Sequence, residues 1–203
     1  MKAEQPHPGA KPLLIVVSGP SGAGKDAVLA RVKGSGKTLN FVVTATTRSQ
    51  REGESDGAPY HFVSRERFQE MVEGGELLEW AEVYGNLYGV PRRRVKEALE
   101  RGHDVLVKVD VQGAATIKRA VPQALLIFLA PPSTAALEER LRDRSTESAA
   151  ELERRIATAH EEMKQQGMFD HVVVNDEVEI AAAEIDAIIA TEKRRPRPRA
   201  VNL

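Results

Sequence analysis

Five short, largely apolar runs punctuate the chain: Leu13–Val17, Phe41–Val43, Val105–Val109 (interrupted by Lys108), Leu125–Leu129 and Val172–Val174. Runs this short, apolar at successive rather than alternate positions, predict strands covered on both faces. Helical spacing follows them. Val28, Leu29 and Val32 share one side of Lys25–Val32, and Gln112–Ala120 follows the third run. Thr134–Arg142 begins behind Pro131-Pro132-Ser133, a proline stop with a hydroxyl cap. Glu177–Glu192 carries Ile180, Ile185, Ile188 and Ile189. Strand–helix alternation predicts an α/β fold, a five-stranded parallel sheet with right-handed crossovers and helices on both faces. Val105–Val109 is expected beside Leu13–Val17. That adjacency would bring Asp110 to the carboxyl ends of the strands, where open α/β sheets bind ligands.

Two stretches break this rhythm. Residues 44–91 hold short mixed strands (His61–Val63, Leu77–Leu78, Glu82–Tyr84) and one helix near Arg65–Val72. Residues 140–167 are mostly charged or small, with Arg140, Arg142, Arg144, Arg154 and Arg155 among Asp143, Glu147, Glu151 and Glu153. Both read as insertions projecting from the sheet. The expected organisation is therefore a core of 13–43, 92–139 and 168–192, an α+β insertion at 44–91 and a helical lid at 140–167. Residues 1–12 and 193–203 read as tails, the second basic and proline-broken through Arg194-Arg195-Pro196-Arg197-Pro198-Arg199.

Composition narrows the function more than the fold. The 203 residues carry 29 basic and 30 acidic side chains, a formal charge of -1, which argues against generic nucleic-acid binding. No cysteine is present, so disulfides, Cys-ligated zinc, iron–sulfur clusters and thiol catalysis are excluded. No apolar run approaches the roughly 20 residues that span a bilayer. Met1–Pro12 lacks the apolar stretch of a signal peptide, so the expected location is the cytoplasm. His7, His61, His103, His160 and His171 show no metal-ligand spacing, and no Ser-His-Asp set is arranged for nucleophilic catalysis.

The strongest local signal is Gly19-Pro20-Ser21-Gly22-Ala23-Gly24-Lys25. It fits G-x-x-x-x-G-K and lies between an apolar run and a helix, the context that gives this motif its meaning. Its glycines let successive N–H groups converge on one anion, with the positive end of the helix behind them. Lys25 supplies a full charge for the β- and γ-phosphates. The next position normally carries a hydroxyl that ligates Mg²⁺; here it is Asp26.

Further blocks follow the loop in order. They are Thr44-Ala45-Thr46-Thr47-Arg48-Ser49-Gln50-Arg51-Glu52-Gly53-Glu54, Gly57-Ala58-Pro59-Tyr60, Leu78-Glu79-Trp80-Ala81, and Tyr84-Gly85-Asn86-Leu87-Tyr88-Gly89. Val109-Asp110-Val111-Gln112-Gly113, Pro131-Pro132-Ser133 and Val174-Asn175-Asp176 complete the series. In this order and spacing they closely resemble the guanylate kinase family over about residues 13–192. The resemblance implies a P-loop core, a GMP-binding subdomain at 44–91 and an arginine-bearing lid. It implies transfer of the γ-phosphate of ATP to GMP (with dGMP as a further acceptor), assisted by Mg²⁺. ATP and GMP would be the partners, with no nucleic acid, membrane or obligatory protein partner.

Residue by residue, the resemblance places Gly19–Lys25, Asp26 and Asn175 at ATP. It places Thr44, Arg48, Arg51, Tyr60, Glu79, Tyr88 and Asp110 at GMP. Arg140, Arg144 and Arg155, with Lys25 and Arg48, would stabilise the transferring phosphoryl group, and Asp26 would reach the metal through water. The chemistry is consistent. Two guanidinium forks suit a phosphate dianion, and two tyrosine hydroxyls add donors without charge. Guanine offers two adjacent donors, N1–H and the 2-amino group, which a single carboxylate accepts together; adenine's N1 is an acceptor that a carboxylate repels. Taken alone, Glu79 beside Trp80 would read as a surface position.

Four positions depart from the family pattern, the first being Ser145 after Arg144, where a glycine is frequent. Asp26 replaces the hydroxyl after the loop lysine. Val90 stands where a small hydroxyl residue helps read the base, a loss of about 1 kcal/mol in GMP binding. Lys108 stands where the strand before Asp110 usually has an acid. Asp26 and Lys108 are expected to compensate each other as an ion pair beneath the phosphates. Both insertions are expected to close over the bound nucleotides. Two other readings compete: a catalytically silent guanylate-kinase-like domain that binds peptides, and a related kinase acting on a sugar phosphate. Lys25 and the lid arginines speak against the first, and Glu79 with both tyrosines against the second.

Overall fold

The computed structural model describes residues 11–35, 39–51, 53–58, 60–83, 85–143, 148–195, 199, 201 and 203. Nine strands and seven α-helices form among them, in two sheets. The first sheet is parallel and five-stranded: β1 (Leu14–Ser18), β2 (Leu39–Phe41), β7 (Asp104–Lys108), β8 (Leu125–Ala130) and β9 (His171–Val174), in the order β2-β7-β1-β8-β9. β7 lies beside β1, as expected from the sequence. The expectation of strands covered on both faces holds for the central β1, β7 and β8, and fails for β2 and β9. The latter are the two edges, where cover runs out: Val172 is 42% exposed and Val174 49%.

The chain divides into two compact units. The first comprises residues 17–37 and 125–198. It contains α1 (Lys25–Lys33), β8, α5 (Thr134–Asp143), α6 (Ala149–Lys164), a 3-10 turn at Gln165–Met168, β9 and α7 (Val178–Lys193). α1 buries Val28, Leu29 and Val32, and α7 buries Ile185 and Ile189, while Ile180 stays exposed. Ser133 caps α5 by accepting from the Ala136 N–H at 3.1 Å. α5 and α6 share a small apolar core of Leu137, Leu141 and Ala159, flanked by Leu152, Ile156 and Met163. α6 starts with a reciprocal cap. Ser148 accepts from the Glu151 N–H, and Glu151 accepts from the Ser148 N–H at 3.0 Å.

The second unit comprises residues 11–16, 38–124 and 199–203. Its mixed sheet has the order β4-β3-β6-β5, from β3 (Thr44–Thr46), β4 (Tyr60–Phe62), β5 (Leu77–Val83) and β6 (Asn86–Pro91). α2 (Arg65–Glu73) inserts Phe68 and Met71 under this sheet against Ala45, Leu77 and Leu87. The sheet's register sets out the candidate site: Thr44 pairs with Tyr60, Thr46 with Tyr88, and Glu79 with Val90. A register shift between Leu77 and Glu79 breaks the simple alternation of faces. Glu79 is consequently only 4% exposed and Trp80 47%, the reverse of what the two residues suggest when taken alone. α3 (Arg92–Glu100) and α4 (Val111–Ala120) complete the unit. The start of β7 is fixed by Asp104, whose carboxylate accepts from the Leu13 N–H at 2.9 Å.

Candidate nucleotide-binding site

In the first unit the chain leaves β1 at Ser18 and turns through the glycine-rich loop into α1. Gly24 is the residue before the helix and is left-handed, with φ +84°. Lys25 folds back over the loop, its ammonium donating to the carbonyls of Gly19 at 2.6 Å and Pro20 at 2.9 Å. Asn175, 2% exposed after β9, donates its amide to the Ala23 carbonyl at 2.8 Å. That amide nitrogen occupies the space where a Cβ on Gly24 would stand. The Asn175 backbone carbonyl in turn accepts from Arg140 at 3.1 Å. Arg155 donates to the Ser21 hydroxyl at 3.3 Å, and Glu162 accepts from the Ser21 N–H at 3.1 Å. Arg155 and Glu162 are seven residues apart, two turns of α6, so both reach the loop from one face. Gly19–Lys25, Asn175, Arg140 and Arg155 therefore lie together. Arg144 lies outside the described residues, as do Glu52, Pro59 and Tyr84 of the sequence blocks.

The second unit holds a different polar cluster. Asp110 caps α4, accepting from the Gly113 N–H at 2.7 Å. Gly113 leaves room for two carboxyl groups: a Cβ there would lie 2.6 Å from Glu79 Oε2 and 3.0 Å from Asp110 Oδ1. Glu79 Oε2 is buried and has no hydrogen-bond partner among the described residues. Burial first, and the neighbouring Asp110 charge second, push the Glu79 carboxyl up to about 8. Thr44 is buried at the start of β3. Val90, fully buried opposite Glu79, puts an apolar wall where the family pattern has a hydroxyl.

Beside these lies a cationic and aromatic group. The Arg48 guanidinium donates to both oxygens of Glu54, at 2.7 and 3.0 Å, and to the Ser49 carbonyl at 2.7 Å. The same contact holds the Glu54 carboxyl below its usual range. Arg48 also lies 5.4 Å from the centre of the Tyr60 ring. Tyr60 meets Tyr88 edge to face, with 5.8 Å between ring centres. Lys108 donates to the Tyr60 hydroxyl at 2.8 Å. Arg51 is exposed, its backbone N–H donating to Glu54. Thr44, Arg48, Tyr60, Glu79, Tyr88 and Asp110 thus all belong to this unit. Sequence reasoning gives no such contacts for Glu54, Gly113, Lys108 and Glu162. Glu54 ends the arginine block three residues after Arg51, an offset that hints at pairing; the other three depend on contacts between distant segments.

A glycine-rich loop of the G-x-x-x-x-G-K pattern after a parallel strand, and a separate cluster of arginines, tyrosines and a buried carboxyl group, match the pattern of the nucleoside monophosphate kinase class of phosphotransferases. The guanylate kinase family model matches residues 11–192. Relatives named guanylate kinase include one from Carboxydothermus hydrogenoformans, 41% identical over 92% of this chain and 92% of its own length. One from Clostridioides difficile is 45% identical over 91% of this chain and 90% of its own. One from Rhodococcus jostii is 48% identical over 87% and 86%. The crystal structure of guanylate kinase from Anaplasma phagocytophilum superposes with a TM-score of 0.78 at 31% identity, covering 92% of this chain and 89% of that one. The chain belongs to the guanylate kinase family, whose members are ATP:GMP phosphotransferases.

Proposed function

We propose that this chain phosphorylates GMP through two sets of its own residues. The backbone N–H groups of Gly19–Lys25 and the Lys25 ammonium would take the ATP phosphates, with Asn175 bracing the loop and lying on the adenine side. Glu79 and Asp110, with Thr44, would read guanine. Arg48, Arg51, Tyr60 and Tyr88 would hold the GMP phosphate. The observation that carries this reading is the buried Glu79 Oε2 with no hydrogen-bond partner among the described residues, beside a second carboxylate. Such an acceptor is costly to bury without a donor, and guanine supplies two adjacent donors.

Phosphoryl transfer asks little covalent chemistry of the protein and much alignment and positive charge. The two guanidiniums in contact with the phosphate-loop region, Arg140 and Arg155, fit that need, and Arg144 is assigned with them on the sequence pattern. In these roles they would neutralise charge developing on the transferring group. Mg²⁺ would be held mainly by the ATP phosphates. No cluster of three or more His, Cys, Asp or Glu able to hold a metal exists among the described residues. Asp26 would accept from a water on the ion, in keeping with the several waters that Mg²⁺ usually retains beside substrate phosphates. When bound, the ion would draw negative charge from the β- and γ-phosphates. Deoxyribose is expected to be accepted, since the groups assigned to GMP are placed at base and phosphate.

A coupled ADP-release assay with GMP, dGMP, AMP, a sugar phosphate and no acceptor tests the assignment. Turnover is expected with GMP and dGMP and near background with the others. Turnover only with a different acceptor would overturn the reading.

A further inference from the structure

Lys108 ends β7, two residues before Asp110, at a position where the family pattern has an acid. Its ammonium donates to the Tyr60 hydroxyl at 2.8 Å and lies 4.8 Å from the centre of that ring. Arg48 sits over the same ring at 5.4 Å. One tyrosine therefore carries two cations, an arrangement with a chemical consequence.

An ammonium has three donors and no acceptor, so in this contact the phenol oxygen must accept. Its own O–H is thereby left to donate to something else. A phenol that accepts from a cation is also polarised and becomes a stronger donor. The partner best suited to that proton is an acceptor-only anion. Charge points the same way. The Arg48 guanidinium is paired with the Glu54 carboxylate through two contacts, and the two charges cancel. Arg51 acts on the same Glu54 carboxylate, and Lys108 places an ammonium at the Tyr60 hydroxyl, so an anion accepting from that hydroxyl would meet cationic side chains.

We propose that Lys108 is a positioning residue of the acceptor-phosphate subsite, orienting the Tyr60 hydroxyl toward the phosphate of the nucleoside monophosphate and adding positive charge beside it. This rests on the assignment of Tyr60 and Arg48 to GMP. It gives this chain a cation-assisted tyrosine in place of the acid that the family pattern has there.

The test compares two ligands that differ only in the phosphate. Calorimetric affinities for GMP and guanosine are measured on the wild-type protein and on the Lys108→Met, Lys108→Arg and Tyr60→Phe variants. Each is checked for folding by thermal unfolding and for ATP affinity. Lys108→Met is expected to weaken GMP by about tenfold or more, the scale of a hydrogen bond involving a charged group. Guanosine and ATP should be unaffected. Lys108→Arg should restore part of the loss, because it retains the charge. Lys108→Met should add little to Tyr60→Phe, because the two act through one hydroxyl. Equal losses for GMP and guanosine, or no loss for either, would overturn the proposal. If Lys108→Met does not fold, the arginine variant and the Tyr60→Phe comparison still decide it. The underlying assignment fails separately, and visibly, if the wild-type protein binds GMP no better than guanosine.

Discussion

Replacing Glu79 with glutamine will lower kcat/KM for GMP by roughly 10²–10³-fold while leaving ATP affinity unchanged. The side chain stays the same size, so the effect isolates the acceptor. Guanine presents two donors, and an amide meets one of them with its own N–H₂. The site then contains facing donors in a buried pocket, which costs more than a missing contact. Equal losses for both nucleotides would mean that Glu79 supports the fold and nothing else.

The same residue predicts a pH dependence. Burial, then Asp110, raise the Glu79 carboxyl to about 8 from an ordinary 4.5. Between those values the ligand-free folded protein holds a proton that the unfolded chain lacks, so stability declines as pH rises from about 4.5 to about 8 and is level above. In its proposed role Glu79 meets guanine as the carboxylate, so binding would release that proton. GMP affinity should therefore rise with pH, approaching tenfold per unit, and flatten near pH 8. Titrations between about pH 6.5 and 8.5 stay above the second ionisation of the phosphate, near 6. In the glutamine variant the slope should vanish, which separates Glu79 from any other titrating group.

The second large effect is expected at Gly24. Its φ is +84°, and Asn175 Nδ2 stands where a Cβ would go. Gly24→Ala must therefore strain the backbone and displace the Asn175 amide from the Ala23 carbonyl. Left-handed backbone costs about 1–2 kcal/mol, and a buried carbonyl without its donor about 1–3 kcal/mol. A total of about 3 kcal/mol, with a matching loss of ATP affinity, should appear in unfolding and binding measurements. Gly75 provides the control. Its φ is +65°, and a Cβ at that position would meet nothing within 4 Å. Gly75→Ala should therefore cost about 1 kcal/mol and leave ATP binding alone. Similar losses at both positions would remove Asn175 from the account.

The parts of this structure legible in the sequence are those that short segments specify alone. β1 and β8 are almost wholly apolar, β7 carries Val105, Leu106 and Val107 between Asp104 and Lys108, and the phosphate loop announces itself by glycine spacing between a strand and a helix. The bare faces of β2 and β9 are not legible, because the order of strands is not written in any one of them. α6 reads at first as a charged stretch, yet it carries helix signals. Ser148 and Glu151 form a capping pair, and Leu152, Ile156, Ala159 and Met163 recur at helical spacing. The interleaved arginines and glutamates mask that stripe. α3 is masked in the same way by its arginines, although Val95, Ala98 and Leu99 mark its buried side. The burial of Glu79 depends on a register shift in β5, and the Lys108–Tyr60 contact joins residues 48 positions apart. Neither is available to local pattern.

The pairing of α5 with α6 bears on how this molecule breathes. Three buried side chains and three half-buried ones hold the hairpin together, whereas all six residues of β8 are buried. An element with its own modest core and its own cap is built to unfold and refold as one cooperative segment, well below the free energy of opening the sheet. Amide hydrogens of α6 should therefore exchange together and early, while those of β8 exchange only when the whole chain unfolds. That opening would also break the bonds from Arg155 and Glu162 to Ser21. The hairpin's exchange rate then becomes a clock for how often the phosphate loop loses its cover.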